Sequence, residues 1–484
     1  MKKIKGKNKA SNSNNKTRGV ETLLGEPKKA IIKLAIPMII AMSVQTIYNF
    51  VDTLFVSGIG KSIFTDSFVP GIGDIGVAAI GLIFPFFMMA IALSTGIGVG
   101  ASSAISRRIG AKDKKGADNV AEHSIITTIL IAIVFSIILF FLSEPLLNII
   151  GAGKSLAYAV TYGKIIFAGS IVIFFINVGT AILRGEGDAK RAMYAIVLGT
   201  FLNIILDPFF IYTFKLGVAG AAYATIISMI ITSSILVYWL FFKKNTYVDF
   251  KLKHFKFKKE IIVDIFKVGF PASIQQLSMS FTMLIINIII INVALAGDAG
   301  ISVYTIGWRV VMLAILPLLG LATAVITVTG AAFGAKKYNK LNIGFLFSAK
   351  LGLLIEILIA IIIFIIAPLI TLIFTTGEGL PELRPDIELF IKISCLFYPS
   401  AALGIASSAM FQGTGKGLYS LIATLLRTII LSPILAAIFC CIFSMGLTGV
   451  WWGLVVANLI GSVVSFSWAK LYIRSLLVKE REVV

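Results

Sequence analysis

The amino-acid sequence predicts an all-α integral membrane protein with twelve transmembrane helices in two pseudo-symmetric six-helix lobes. Three observations support this prediction: the apolar composition, the number of apolar runs and an internal repeat. Of 484 residues, 58% are hydrophobic and only 14% are charged, whereas soluble domains usually carry about 25% charged residues. A soluble enzyme, a disordered chain and a fibrous protein are therefore excluded.

Twelve apolar runs are long enough to cross a bilayer, since a helical span needs about 20 residues. No polar stretch after the N-terminal tail is longer than a loop, so the runs follow one another without a soluble domain between them. The predicted spans lie at residues 30–56, 76–104, 123–143, 158–183, 192–214, 217–242, 261–294, 299–332, 345–374, 387–411, 418–443 and 447–473.

The basic residues, which give a net charge of +20, are concentrated in the two tails and in the even-numbered loops. The opposite loops hold only Lys61, Lys154, Lys215 and Arg384. By the positive-inside rule, this asymmetry predicts a multi-pass protein of the cell membrane with both termini in the cytoplasm. Because the charge follows the topology of a membrane protein, the expected partner is the lipid bilayer, and no nucleic-acid partner is expected.

The predicted organisation has five parts. They are a basic, disordered cytoplasmic tail at 1–25, a first lobe at 26–243, a basic cytoplasmic linker at 244–260, a second lobe at 261–475 and a cytoplasmic tail at 476–484.

The two lobes carry the same landmarks in the same order, offset by 224–234 residues. Each unit has six spans, so both halves enter the membrane with the same orientation, and a central cavity is expected between them. Two such lobes could rock against each other to give alternating access. The paired landmarks are 32–37 and 266–271, 109–112 and 333–336, 184–188 and 412–416, 206–208 and 431–433, and 216–220 and 445–449.

Motifs for nucleotide or metal chemistry are missing from the sequence. Gly153-Lys154-Ser155 ends like a phosphate-binding loop, but Asn148 stands where its first glycine should be. With only two histidines, the chain offers no metal or nucleophile constellation. We expect no enzymatic activity, no cofactor and no structural metal, so uphill transport would have to be driven by an ion gradient.

Asp207 is the strongest candidate site residue, because an ionisable side chain inside a span is costly and indicates function by default. Asn203 lies one turn earlier on the same helix face. Pro208 has no amide hydrogen, so the helix should kink there and free a carbonyl. The alternative is a permanent ion pair with Lys164 or Arg309. Function is favoured, because the repeat partner Ser432-Pro433 keeps the proline without the acid.

Asp52 follows Gln45 and Tyr48 on one polar stripe of the first span, which is expected to line the interior of the first lobe, with Gln45 and Tyr48 in the substrate cavity. The alternative is that Asp52, toward the outer end of this span, is simply exposed to water. A second acid near Asp207 would raise the proton affinity of both carboxylates. In span seven, Gln276 and Met283 lie on a mildly polar face that fits either a substrate wall or ordinary packing.

Glu356, in span nine, fits either a coupling site of the second half or an ion-pair partner of Arg309.

These landmarks together resemble the multidrug and toxic compound extrusion (MATE) family over about residues 25–475, and its DinF-type branch in particular. The resemblance implies a V-shaped, two-lobe antiporter that exports organic, often cationic compounds in exchange for protons or sodium ions. It implies a monomer, and an ion site at residues that match Asp52, Asn203, Asp207 and Thr225, with Tyr162 nearby. A sodium ion would bind at Asp207, Asn203 and Thr225.

Two alternative functions stay open. A flippase for lipid-linked oligosaccharides, from the same wider superfamily, commonly has a cationic cavity, to which Arg309 and Arg427 could contribute. A membrane-embedded enzyme or receptor would need clustered catalytic residues or a soluble signalling domain.

Overall fold

The computed structural model describes residues 17–58, 61–65, 68–151, 153–243, 245–251, 255–294, 296–375 and 381–482. Most of the expected disordered tail, residues 1–16, and the last two residues lie outside these ranges. The described chain is built from eighteen α-helices: α1 Arg18–Leu24, α2 Pro27–Val56, α3 Lys61–Phe64, α4 Asp74–Gly110, α5 Lys114–Ile150, α6 Leu156–Ala168, α7 Ser170–Gly185, α8 Ala189–Pro208, α9 Val218–Val237, α10 Lys259–Asn292, α11 Gly297–Ala314, α12 Leu316–Gly334, α13 Tyr338–Phe374, α14 Arg384–Ser394, α15 Tyr398–Gly413, α16 Gly417–Leu425, α17 Ser432–Ala437 and α18 Gly446–Glu482.

The prediction of twelve spans in two lobes is confirmed. Ten helices in the described ranges are long and apolar enough to cross a membrane without a break. The other two spans are bent pairs, α6 with α7 at 47° and α14 with α15 at 52°. The second bend has a clear cause, because Pro399 has no amide hydrogen and leaves the Cys395 carbonyl without its helical donor. The lobe boundaries at 243 and 261 stay predictions.

The repeat extends to backbone conformation. Lys112 and Lys336, at matching positions after α4 and α12, have φ angles of 61° and 53°. Lys215 and Ser444, at matching positions before α9 and α18, have φ angles of 55° and 54°. The left-handed region costs a non-glycine residue about 1–2 kcal/mol. Because both copies adopt it at the same places, the halves share one backbone design.

Proline 208 is followed by a π-helical turn, Phe209–Thr213. There the Phe214 amide donates to the Phe209 carbonyl at 2.9 Å, five residues back. The matching turn of the second lobe, Ile438–Ile442, has the same bond from Phe443 to Ile438 at 3.3 Å. The expected disturbance of the helix after Pro208 therefore takes the form of a wider turn, which is a known response to a break in the hydrogen-bond ladder.

Two expected tail segments are helical. Residues Arg18–Leu24 of the predicted disordered tail form α1, whose first turn is capped by the Thr17 hydroxyl. The last helix, α18, continues to Glu482, beyond the predicted end of the second lobe at 475. In α1 the burial of Val20 and Leu23 explains the order, since their contacts offset the entropy of the chain.

The lobes pack against each other at the end of the bundle that carries the loops 107–115, 184–191 and 336–340, which we call the basic end. A Cβ atom added to Gly110 would overlap the Ala331 carbonyl, and one added to Gly334 would overlap the Arg107 carbonyl. This reciprocal crossing of α4 and α12 places backbone against backbone. Nearer the middle of the bundle, Gly320 of α12 lies against Ile39 of α2.

Candidate functional site

Asp207 lies in the core of the first lobe with no exposed surface. The Asn203 side-chain amide donates to Asp207 Oδ1 at 3.0 Å, as their one-turn spacing predicts. The other carboxylate oxygen, Oδ2, is buried and has no hydrogen-bond partner. The alternative of a permanent ion pair is not seen among the described residues, since Lys164 pairs with Glu144 at 3.5 Å and Arg309 is exposed.

Four helices converge around this carboxylate. Asp52, on α2, lies within electrostatic reach of Asp207, and its Oδ1 is also buried without a partner. Tyr48, one turn earlier on α2, lies beside the Thr225 side chain on α9 and near Tyr162 on α6. We call the set Asp52, Asp207, Asn203, Thr225, Tyr48 and Tyr162 the acid cluster.

Three candidates for the substrate cavity lie outside the acid cluster. Gln45 and Gln276 are exposed, and Met283 packs against the apolar core of the second lobe. On α10 it is instead Gln275 that enters a polar network. Its amide donates to Ser420 Oγ at 2.8 Å, and its carbonyl accepts from the Gln412 amide at 2.8 Å.

One hydrogen bond joins the π-helical turn to the end of α2, and no pattern in the sequence indicates it. The Tyr212 hydroxyl donates to the Phe55 carbonyl, three residues after Asp52. The pair Asp52 and Asp207 and this hydrogen bond therefore both connect the end of α2 to the end of α8 and the turn that follows it. A change of geometry around Pro208 would be transmitted directly to the end of α2.

A second unforeseen group holds the lobes together at the basic end. Asp264 of α10 accepts from Arg107 of α4 at 2.6 Å and from Arg108 at 3.4 Å. Ser103, one turn before Arg107, donates its hydroxyl to the Gln412 carbonyl of the second lobe. We call the contacts of Asp264 with the two arginines the interlobe lock.

Acidic side chains of the first lobe also bind the backbone of the linker between the lobes. Glu186 Oε2 accepts the amide hydrogens of Tyr247 at 2.7 Å and Val248 at 3.1 Å. Glu122 accepts from the Lys251 amide at 2.6 Å. Burial raises the pKa of the Glu186 carboxyl to about 8, because the charged form is poorly solvated there.

The acid cluster can do one kind of chemistry. It combines amide and hydroxyl groups with two carboxylates, the buried Asp207 and the half-buried Asp52, and each carboxylate has one buried oxygen without a partner. A buried, uncompensated carboxylate is very costly, so such a group binds a proton or a cation. Oxygen ligands suit hard cations and protons rather than soft metals.

Comparisons with known proteins agree with this architecture. The MatE family model matches residues 62–209 and 271–438, one block in each lobe. The chain is 30% identical over 434 residues to the multidrug export protein MepA of Staphylococcus aureus, covering 89% of this chain and 90% of that one. It is 28% identical over 442 residues to the protein of the same name from Staphylococcus saprophyticus, covering 89% and 91%.

Solved structures are similar along nearly the whole chain. A MOP superfamily transporter from Pyrococcus furiosus is 45% identical with a TM-score of 0.90, over 95% of this chain and 99% of that one. A structure described as the outward-facing conformation of a multidrug resistance MATE transporter is 44% identical with a TM-score of 0.89, with the same coverage. The assignment to a DinF-type branch stays a prediction. Fold, repeat and matches along both halves show that this chain belongs to the MATE family of membrane transporters.

Proposed function

We propose that this protein is a secondary active exporter of organic, often cationic and amphipathic compounds, which it exchanges for protons or sodium ions. The proposal includes a monomer without cofactor, in the plasma membrane, with both termini in the cytoplasm. It is supported by family membership and by relatives named for multidrug export. The single observation that carries the coupling is the buried Asp207 carboxylate, whose Oδ2 has no partner.

The coupling ion would be held by the acid cluster. Asp207 already uses one oxygen for Asn203, which leaves Oδ2 to take a proton or, together with Asp52 and Thr225, a sodium ion. Two carboxylates within electrostatic reach disfavour a state in which both are charged. Binding of one cation relieves this repulsion, so occupancy of the site would change how α2 and α8 pack.

Helix α2 would carry that change to the lobe interface. Asp52 stands near one end of α2, and Ile39, thirteen residues earlier, lies against Gly320 of the second lobe. At 1.5 Å per residue the two points are about 20 Å apart on one helix. A tilt or bend of α2 at the acid cluster would therefore alter its contact with α12, and Pro37 next to the contact weakens the helix there.

By the positive-inside rule we expect the basic end to face the cytoplasm. With the lobes packed together at that end, this conformation would be closed to the cytoplasm and open to the outside. Cation loading from outside would then promote release of the substrate, and the reverse transition would follow after the cation leaves inside.

Efflux from vesicles tests the proposal, with Asp207→Asn as the variant. Reconstituted protein should export a fluorescent organic cation when a proton or a sodium gradient is imposed separately, and the arm that drives efflux identifies the ion. Asp207→Asn should lower coupled efflux at least tenfold, whereas the control Asp74→Asn, an exposed acid of the same lobe, should leave it unchanged. Undiminished coupled efflux in Asp207→Asn would overturn the proposal.

A flippase is the second candidate function, and Arg427 favours it. Within the described residues this arginine of the second lobe has no ion-pair partner, while its Nη1 lies near the buried Ser462 hydroxyl beside Gly404. An arginine inside a bundle attracts an anion, such as a lipid phosphate. Transbilayer movement of a labelled lipid-linked oligosaccharide by reconstituted protein would support this function over drug export, and its absence would exclude it.

A further inference from the structure

Glu356 in the second lobe is a buried acid that the acid cluster does not include. It lies on α13 with no exposed surface, and both of its carboxylate oxygens are buried without any hydrogen-bond partner. A neutral or charged carboxyl normally satisfies at least one oxygen when buried. Both oxygens of this side chain therefore have bonding positions that no protein group fills.

The surroundings of Glu356 are set by the break in span ten. One turn earlier, a Cβ atom at Gly352 would lie 3.2 Å from Ala402 and 3.0 Å from Leu318, so this face of α13 packs between α12 and α15. Tyr398, the first residue of α15, lies within electrostatic reach of Glu356, and its hydroxyl is also buried without a partner. The Cys395 carbonyl, which Pro399 deprives of its helical donor, belongs to the same break.

Basic groups of the neighbouring elements do not neutralise this acid in the described part of the chain. Lys392 of α14 pairs with Glu388 at 2.6 Å, and Arg309 of α11 is exposed. Helix α12 has no ionisable residue. On α18, Lys470 contacts Asn342 at 3.5 Å, about 21 Å along α13 from Glu356. The described titratable group within electrostatic reach of Glu356 is Tyr398.

The fold itself does not require an acid at this place. Helices α5 and α13 are matching spans of equal length, 37 residues each, and the residue of α5 that corresponds to Glu356 is Ala132. Ala132 is also fully buried. Because an alanine fills the same position in the other copy, the carboxyl of Glu356 is an addition to the second lobe and not part of the packing scheme.

We propose that Glu356, Tyr398 and the Cys395 carbonyl form a second monovalent cation site, which takes a proton or a sodium ion independently of the acid cluster. Carboxylate, phenol and carbonyl oxygens are hard ligands that suit either ion. The site lies against the 52° bend of span ten, so its occupancy would set that bend. Its effect on export rests on the proposed function, whereas cation binding itself does not.

Cation binding by the purified full-length protein tests this site without transport. In the double variant Asp52→Asn/Asp207→Asn, which removes both carboxylates of the acid cluster, proton uptake after an acid jump is measured with an indicator dye. Binding of radioactive sodium at fixed pH forms the other arm. Adding Glu356→Gln should remove one binding site, either for protons or for sodium, and the arm that loses it identifies the ion. Adding Glu382→Gln, which changes an exposed acid, should not remove this site.

Equal uptake with and without Glu356→Gln in both arms would overturn the proposal. Should that variant not fold, Tyr398→Phe provides the second measurement. It removes only an unpartnered hydroxyl, so the protein should fold, and it should weaken binding in the reporting arm at least several-fold. Unchanged affinity in Tyr398→Phe would likewise contradict the site. The two proposals can fail independently, because Asp207→Asn is tested by coupled efflux, whereas Glu356→Gln is tested by cation binding without transport.

Discussion

Removing the charge of Asp264 should open the basic end. In the interlobe lock this single carboxylate accepts from two arginines of the other lobe, at 2.6 Å and 3.4 Å. Asp264→Asn keeps the size of the side chain but leaves Arg107 and Arg108 without a counter-charge across the interface. The lobes should therefore separate more readily at this end.

The size of the effect follows from burial. The side chains of Arg107 and Asp264 are 11% and 27% exposed, so the pair lies between a surface ion pair, worth about 0–1 kcal/mol, and a fully buried one, whose disruption costs about 3–5 kcal/mol. We expect a loss of about 2 kcal/mol. Since about 1.4 kcal/mol is a factor of ten, the closed-to-open ratio of the basic end should fall about 30-fold.

Distance measurements between spin labels report this ratio. Lys115, in the first turn of α5, and Lys337, directly before α13, are exposed label positions in the two lobes at the basic end. The matched control is Asp113→Asn, since Asp113 pairs with Arg108 at 3.5 Å within its own lobe and an asparagine keeps the cap it forms on α5. Asp264→Asn should add a long-distance population that the control lacks. Superimposable distributions for both variants would refute the idea of a lock.

Two further predictions concern the same end of the molecule. Folding raises the pKa of Glu186 from about 4.5 to about 8. Proton binding by Glu186 therefore stabilises the folded state fully below pH 4.5, and this stabilisation is lost as the pH rises to 8. Over this interval the melting temperature of Glu186→Gln should fall less than that of the wild type, and an equal dependence of the two melting temperatures on pH would contradict the prediction. In Gly110→Ala the added methyl group would overlap the Ala331 carbonyl. Overpacking of this kind costs about 1–3 kcal/mol, so the same spin labels should report a smaller closed population. Gly81→Ala on the same helix, with open space around it, is the control and should match the wild type.

The sequence predicted those features that depend on short spacings. Asn203 and Asp207 are one helical turn apart, and periodicity alone places their side chains together. The repeat landmarks predicted matching turns, and Lys112 and Lys336 have nearly the same φ. In both cases the information lies within a few residues of chain, where propensity and hydrogen-bond geometry decide the structure.

The contacts across long stretches of chain could not be predicted in this way. Arg107 and Asp264 are 157 residues apart, and their pairing requires that the two lobes meet at one end. Asp264 stands near the start of a span, where a charged side chain is usually explained by access to water. The bond of Tyr212 to Phe55 also joins residues 157 apart, and an aromatic residue in an apolar run gives no sign of it.

The energy of the interlobe lock can be compared with the energy that the proposed ion-driven switch would require. Turning a population from 1:99 to 99:1 requires about 5.5 kcal/mol of differential binding. The lock, at about 2 kcal/mol, only biases the resting equilibrium towards the closed state, by the same amount with or without a bound cation. A ligand shifts an equilibrium only by its differential affinity for the two states. In the proposed mechanism the whole of this about 5.5 kcal/mol would therefore have to come from cation binding, at the sites we propose around Asp52, Asp207 and Glu356. If Asp264→Asn alone held the protein fully open at every pH and sodium concentration, the lock rather than ion binding would govern the switch.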